Sequence, residues 1–197
     1  MLSERQQEIL IGTLLGDGHL EQNGKNVRLR VGHGLPQREY VAWKHQELKD
    51  LVRGNIRTAR IFNSKRNKYY EHLQFSTLTC SDFTEWRDVF YPHGKKIVPE
   101  NISDLLITPL SLAVWHMDDG YKRNDCNALR LNTDAFSVSD QNLLIGCLKN
   151  NFGIESKLHK KDKTFNIYIG GKSAKIFCDL VKPYIIDSLL YKVSLTP

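Results

Sequence analysis

Two aspartates are the residues of this sequence best placed to do chemistry. Asp17-Gly18 closes the apolar run LIGTLLGDG over 10–18, and Asp119-Gly120 closes LAVWHMDDG over 112–120. Each run is long enough for the last turns of a helix. The C-terminal end of a helix carries partial negative charge, so a carboxylate there is unfavourably placed, and two such ends brought together repel. A divalent cation removes the conflict. Magnesium takes oxygen ligands, needs only one or two protein carboxylates, and fills its other positions with water and substrate phosphate. The pair therefore suits cleavage of a phosphodiester. A lone Asp-Gly would be read as a tight turn; two copies in matching surroundings favour the site.

In register, Leu10, Gly12, Asp17 and Gly18 of the first copy, and Leu112, Ala113, Asp119 and Gly120 of the second, match the nonapeptide of the LAGLIDADG homing endonucleases. The sequence resembles that family over nearly its whole length, and two copies in one chain look like its monomeric form. The second copy departs from pattern, with Val114 and Asp118 where the first has Gly12 and Gly16. The departure bears on how closely the helices approach, and Asp118 stands as an alternative to Asp119 for the carboxylate facing the metal. The resemblance implies an α+β fold of two pseudo-symmetric αββαββα halves, 1–98 and 99–197, each with a curved antiparallel sheet, together forming a DNA-binding saddle. It implies site-specific cutting of both strands of a long asymmetric duplex with short 3′ overhangs. Asp17 and Asp119, with the backbone of Gly16 and Asp118 as further candidates, would hold Mg²⁺; Mn²⁺ would substitute, and Ca²⁺ would bind without cleavage. One basic residue per half, Lys96 and Lys192, would stabilise charge at the phosphate, with Lys95 the alternative to Lys96. His33 is a further candidate near the scissile phosphate.

The elements that must position these residues are legible as periodicity. Ser3 and Gln6 form a capping box for a helix running to Asp17. Val27, Leu29 and Val31 alternate with Arg28, Arg30 and Gly32, which predicts a half-buried strand with a basic open face. Pro36 opens a helix with Val41, Leu48, Leu51 and Val52 on one side. Strands follow at 55–62 and 68–77 around a basic turn that includes Lys65 and Arg66; Tyr70, His72 and Gln74 take the wet face of the second. Arg57 and Arg60, an odd number apart, cannot share a face of the first. A short helix reads TEWRDVFY over 84–91, and 95–109, with two prolines and little periodicity, reads as a connection.

The second half repeats the order, with a strand at Leu129 and Leu131, a helix over 139–152, strands over 155–159 and 164–169 around the basic turn 160–163, and a helix over 172–184. Asp17 precedes Arg28 and Arg30 by 11 and 13 residues, and Asp119 precedes Arg130 and Asn132 by the same 11 and 13. Duplication is the simplest account. Open sheet faces carrying Arg, Lys, Asn, Gln and Tyr suit contact with phosphates and base edges. The DNA-binding candidates are Arg28, Arg30, Lys65, Arg66, Tyr70, His72 and Gln74 in the first half. In the second they are Lys122, Arg123, Arg130, Asn132, Lys160, Lys161, Asn166 and Tyr168. Trp43, Trp86 and Trp115 fall among apolar helical positions and read as packing residues, and His116 as a buried, satisfied histidine.

Composition sets the outer bounds. A net charge of +6 and a pI near 9.1 favour a polyanionic partner. Double-stranded DNA is the expected one, with intron RNA as the alternative for a non-cleaving maturase; a DNA-binding regulator on the same scaffold is a third reading. The four cysteines are widely spaced and form no C-x-x-C pair, which points to reduced thiols in a bacterial or archaeal cytoplasm or in an organelle that encodes the protein. No apolar run approaches a membrane span. A small-molecule phosphate enzyme is disfavoured, since no G-x-x-x-x-G-K-[ST] loop exists.

Overall fold

The computed structural model describes residues 1–64 and 66–195. Helix α1 (Glu4–Leu15) starts where the sequence places it. The Gln6 amide donates to Ser3 Oγ at 3.2 Å, and the Ser3 amide donates to Gln6 Oε1 at 3.1 Å. Strands β1 (His19–Asn23) and β2 (Asn26–Gly34) form a hairpin around Gly24-Lys25, with Gly24 at φ +64°. A single 3₁₀ turn, Leu35–Gln37, carries Pro36 into α2 (Arg38–Glu47). Strands β3 (Arg57–Asn63) and β4 (Lys68–Ser76) and helix α3 (Ser81–Phe90) follow. The sheet is antiparallel in the order β1-β2-β4-β3.

The second part opens with a short helix, α4 (Ile102–Leu105), then α5 (Pro109–Asp119), β5 (Gly120–Lys122), β6 (Ala128–Leu131), α6 (Val138–Phe152), β7 (Lys157–Lys161), β8 (Thr164–Gly170) and α7 (Gly171–Val181). Its sheet has the same order, β5-β6-β8-β7. The fold is α+β with two repeated α-ββ-α-ββ-α halves. Helix α4 lies inside the stretch read as a bare connection. Its carbonyls are met from α6, where Asn151 Nδ2 donates to Ser103 O at 2.7 Å and to Leu106 O at 2.9 Å. A helix this short has no apolar period to read, and its order comes from that distant side chain.

By contacts the chain divides into two compact units, residues 1–6 with 17–88, and residues 7–16 with 89–197. The cut by contacts and the cut by repetition use different criteria: α1 opens the first repeat, yet its residues 7–16 pack within the second unit. In the first unit, Leu20, Val27, Leu29, Val31 and Phe75 bury one face of the sheet with Tyr40 and Val41 of α2 and with Leu48, which follows it. In the second, Leu129, Leu131, Ile167 and Ile169 lie under α6 and α7, with Leu144, Leu148, Phe177 and Val181 buried.

Register corrects the spacing comparison. Arg30 pairs with His19, two residues after Asp17, and Arg130 pairs with Tyr121, two residues after Asp119. Arg30 and Arg130 are therefore equivalent, Asn132 corresponds to Gly32, and Arg28, opposite Glu21, corresponds to Ala128. Equal counts along the chain misled because the hairpins turn differently. The first has long arms and a two-residue turn, whereas the second closes across 124–127, where the Arg123 amide donates to Ala128 O. A second correction concerns the later hairpin. Strand β7 extends through Lys161, so Lys160 and Lys161 are strand residues, and Asp162, at φ +52°, makes the turn.

Candidate active site and nucleic-acid faces

Helices α1 and α5 meet within the second unit, and the glycines of the first motif are what make the meeting possible. A Cβ at Gly12 would lie 2.7 Å from Val114 Cβ and would run into Ser111 O. A Cβ at Gly16 would sit inside the Asp118 side chain. Val114 and Asp118, which replace the expected small residues, thus occupy the room that Gly12 and Gly16 leave. Close approach needs a small residue on one helix only, so the departure that put close packing in doubt is compensated across the interface. It also fixes Asp118, which is 8% exposed and held against Gly16.

Both predicted lysines reach the ends of the motif helices. Lys96 Nζ donates to Gly16 O at 2.8 Å, and Lys192 Nζ donates to Met117 O at 2.6 Å. A cation at a helix C-terminus offsets the negative end of the dipole, so each lysine also works as a cap. Lys192 is buried, and its own carbonyl lies 3.2 Å from His116 Nε2. His116 packs against the Phe177 ring, and the backbone of Gly120 leaves no room beside it for a Cβ. Burial, and then the Lys192 charge, push the His116 pKa down to about 3, so the ring is neutral. The expectation of a buried, satisfied histidine holds at Nε2.

Asp17 sits in the first unit with its side chain half exposed, and His33 Nδ1 is 3.4 Å from its Oδ2. His33 continues the buried face of β2, after Val27, Leu29 and Val31. Behind it lie the Tyr40 ring, 5.1 Å between centroids, and Lys44, with Nζ 4.6 Å from the Tyr40 centroid. Lys44 is fully buried. Sequence reasoning passed over it, although Tyr40, Lys44 and Leu48 fall at intervals of four on the apolar side of α2, and a charge there is the signal. The equivalent of His33 in the second half is Thr133, buried, with Oγ1 donating to Gln141 Oε1 at 3.0 Å.

The donors at the motif ends are carboxylate and carbonyl oxygens, a hard set that fits Mg²⁺ rather than a thiophilic metal. Among the described residues no three His, Cys, Asp or Glu side chains converge as a metal cluster.

On the first sheet, Arg28 and Arg30 share the open face with Gln74, His72 and Tyr70, as read. Arg28 Nε donates to Glu21 Oε1 at 2.7 Å, and Arg30 donates to Gln74 Oε1 at 2.9 Å. Arg57 pairs with Gln74 and joins this face; Arg60, opposite Glu71, takes the other and stacks over Tyr69 at 4.6 Å. Arg66 lies exposed in the β3–β4 turn, and Lys65 lies outside the described residues.

On the second sheet, Arg130, Tyr168 and Asn166 share a face with Lys157, His159 and Lys161. Asn166 is fully buried, and its amide has no hydrogen-bond partner among the described residues. Lys161 pairs with Asp134 at 2.7 Å and reaches Asn132 Oδ1 at 3.5 Å. Lys122 and Lys160 pair with Leu129 and Phe165, which places them on the opposite face, a consequence of period two that the reading by charge overlooked. Lys122 donates to Ser194 O at 2.8 Å, and Arg123 is tied to Asp125. Trp115 is buried as expected. No helix among the described residues is long and apolar enough to cross a membrane.

Comparison with known proteins agrees with this fold. The profile of the LAGLIDADG DNA endonuclease family matches residues 7–177. The cytochrome b mRNA maturase bI2 of Debaryomyces hansenii is 32% identical over 98% of this chain and 74% of its own length. The DNA endonuclease I-ChuI of Chlamydomonas applanata is 30% identical over 98% of this chain and 96% of its own. The chain spans about half the length, 46–47%, of several other curated relatives. Among solved structures, the homing endonuclease I-WcaI bound to its DNA recognition sequence superposes with a TM-score of 0.91 at 26% identity, covering 100% of this chain and 89% of that one.

Proposed function

Because the chain belongs to the LAGLIDADG DNA endonuclease family, we propose that it is a monomeric, Mg²⁺-dependent endonuclease that cuts both strands of a long asymmetric DNA site, one phosphodiester per strand. The observation that carries this reading is that a lysine donates to a backbone carbonyl at the end of each motif segment, Lys96 to Gly16 O and Lys192 to Met117 O. Asp17 and Asp119 would each offer a carboxylate to Mg²⁺, with the carbonyls of Gly16 and Asp118 as further donors. When bound, Mg²⁺ supplies a Lewis acid that lowers the pKa of a water and neutralises charge on the phosphate. Lys96 and Lys192 add positive charge where the attacked phosphate becomes more negative, and helix packing holds them there before substrate arrives. Arg28, Arg30, Gln74, Arg130 and Tyr168 grip and read the duplex from the open sheet faces. Mn²⁺ replaces Mg²⁺ in this scheme, and Ca²⁺ permits binding without cutting. The cell compartment follows the host gene, a prokaryotic cytoplasm or an organelle with its own genome.

The maturase relative supports a second reading, in which the same faces bind intron RNA. Selection of cleaved sites from a randomised duplex library, with Mg²⁺ and with Ca²⁺, separates the two. One long sequence, cut on both strands with Mg²⁺ and only bound with Ca²⁺, supports the nuclease. Tight binding to folded RNA with no cleavage of any duplex replaces it with the maturase.

A further inference from the structure

The first unit holds a cavity of about 380 Å³ on the open face of its sheet, and four arginines line it: Arg28, Arg30, Arg53 and Arg57. They are not alike. Arg28 and Arg30 both reach Glu21, Arg28 at 2.7 Å from Oε1 and Arg30 at 3.9 Å from Oε2, and Arg30 also bonds Gln74 Oε1. Glu21 faces Arg28 directly across β1 and β2. Arg53, in the segment before β3, and Arg57, at the start of β3, have no ion pair among the described residues, and both are exposed.

The two pairs suit different chemistry. A guanidinium already sharing a carboxylate is oriented and partly neutralised. A backbone phosphate brought to it would also meet the Glu21 charge, and like charges at contact distance repel. A guanine edge carries no charge and offers two acceptors, O6 and N7, that match two guanidinium N–H groups. The unpaired Arg53 and Arg57 carry full charge toward solvent and meet no such opposition from a phosphate. The nucleic-acid faces assigned above treat basic residues as one class; the cavity separates them.

We propose that this cavity sorts the duplex, with Glu21 committing Arg28 and Arg30 to guanine edges while Arg53 and Arg57 hold a flanking backbone phosphate. The inference rests on the DNA-binding reading of this sheet and makes Glu21 a specificity-determining residue, although its own charge opposes DNA binding. Removing that charge strengthens binding in general and weakens discrimination. Arg53 and Arg57 contribute affinity without sequence preference.

The test measures duplex binding in Ca²⁺ across a salt series, on the selected site, on a random duplex, and on the selected site with single base-pair changes. Arg53→Ala and Arg57→Ala should each weaken binding to both duplexes equally and reduce the slope of log K against log salt by about one. Glu21→Gln should tighten binding to the random duplex and reduce discrimination at one or two G·C pairs by on the order of tenfold. Glu21→Asp, which keeps the charge, should retain most of that discrimination. Discrimination unchanged in Glu21→Gln, or a base-specific loss in Arg53→Ala, overturns the sorting. Absence of any duplex binding by the unmodified protein would instead remove the DNA reading beneath it, so the two failures are distinguishable.

Discussion

The two halves share an order of elements but differ behind their aspartates. Behind Asp17 stands a polar and aromatic series, His33, Tyr40 and a buried Lys44. At the equivalent place in the second half stand Thr133 and Gln141, a neutral hydrogen-bonded pair. The motif helices differ the other way. Leu14 in α1 is aligned with His116 in α5, and the lysine serving α5 is the more deeply buried of the two, with its carbonyl held by that histidine. Each half therefore supports its carboxylate with a different set of buried groups. After duplication the acidic position and the lysine at the helix end stayed, while the surroundings that place them diverged.

The largest expected effect ignores this difference. Asp17→Asn and Asp119→Asn keep shape and lose the charge proposed to hold the metal, so each should lower double-strand cleavage by on the order of a thousandfold. Binding in Ca²⁺ or at low salt should persist. A cleavage assay on the selected site gives the first number and a gel-shift titration the second. If one aspartate proves dispensable for both strands, the halves differ in chemistry and not only in support, and the proposed role of that residue is wrong.

The glycines sharpen the contrast between the motif helices. Gly12→Ala meets backbone at Ser111 as well as Val114, so the helices must separate; the expected loss is about 1–3 kcal/mol, the usual range for an overfilled core. At Gly16 the nearest atoms all belong to the Asp118 side chain. Adding Asp118→Gly should therefore recover stability in the Gly16 variant, whereas Val114→Ala should recover little in the Gly12 variant. Denaturant midpoints on the four proteins decide it. Equal rescue at both positions would show that the backbone contact at Ser111 is not limiting.

Much of this was legible in the sequence because it rests on local rules. The capping box at Ser3 and Gln6, the alternation of β2 and the proline-opened α2 are fixed by neighbours within a few residues. The acidic ends and the lysines were legible through the resemblance. Four features were not. Helix α4 depends on Asn151, far away in the chain. The equivalence of Arg30 with Arg130 depends on how each hairpin turns, and a count of residues cannot see a change of turn length that the arms offset in part. The side of the sheet taken by Lys122 and Lys160 follows from register, and charge alone could not assign it. Glu21 was missed because a carboxylate argues against a nucleic-acid face until its partners are known.

The lysines should differ more in folding than in chemistry. Lys96→Met and Lys192→Met each remove a charge proposed to face the reacting phosphate, and on that proposal each should lower kcat about 10- to 100-fold with little change in KM. Lys192→Met also leaves a buried carbonyl at Met117 without its donor, a loss of about 1–3 kcal/mol that Lys96→Met, half-buried, should show less. Single-turnover cleavage and denaturation on the same samples separate the two quantities. Equal destabilisation would mean that the deeper burial of Lys192 does not matter.

The smallest effect reads the same asymmetry through pH. In the unfolded chain His116 takes up a proton near the ordinary value of 6.5, but in the fold only near 3, because burial and the Lys192 charge oppose it. Folding therefore expels a proton between those values. The contribution is complete above pH 6.5 and declines as pH falls toward 3, with a slope of up to about 1.4 kcal/mol per pH unit. His116→Leu copies the first motif, where Leu14 holds the aligned place, and loses the hydrogen bond to Lys192 O at every pH. Its midpoint should be lower than that of the unmodified protein at pH 7.5, and the gap should narrow by about 1.4 kcal/mol by pH 5.5. All other titrating groups are common to the two proteins, so the change in the gap belongs to His116. A gap that stays constant would mean that the ring takes up its proton as readily in the fold as in the unfolded chain, and burial would then not set its charge.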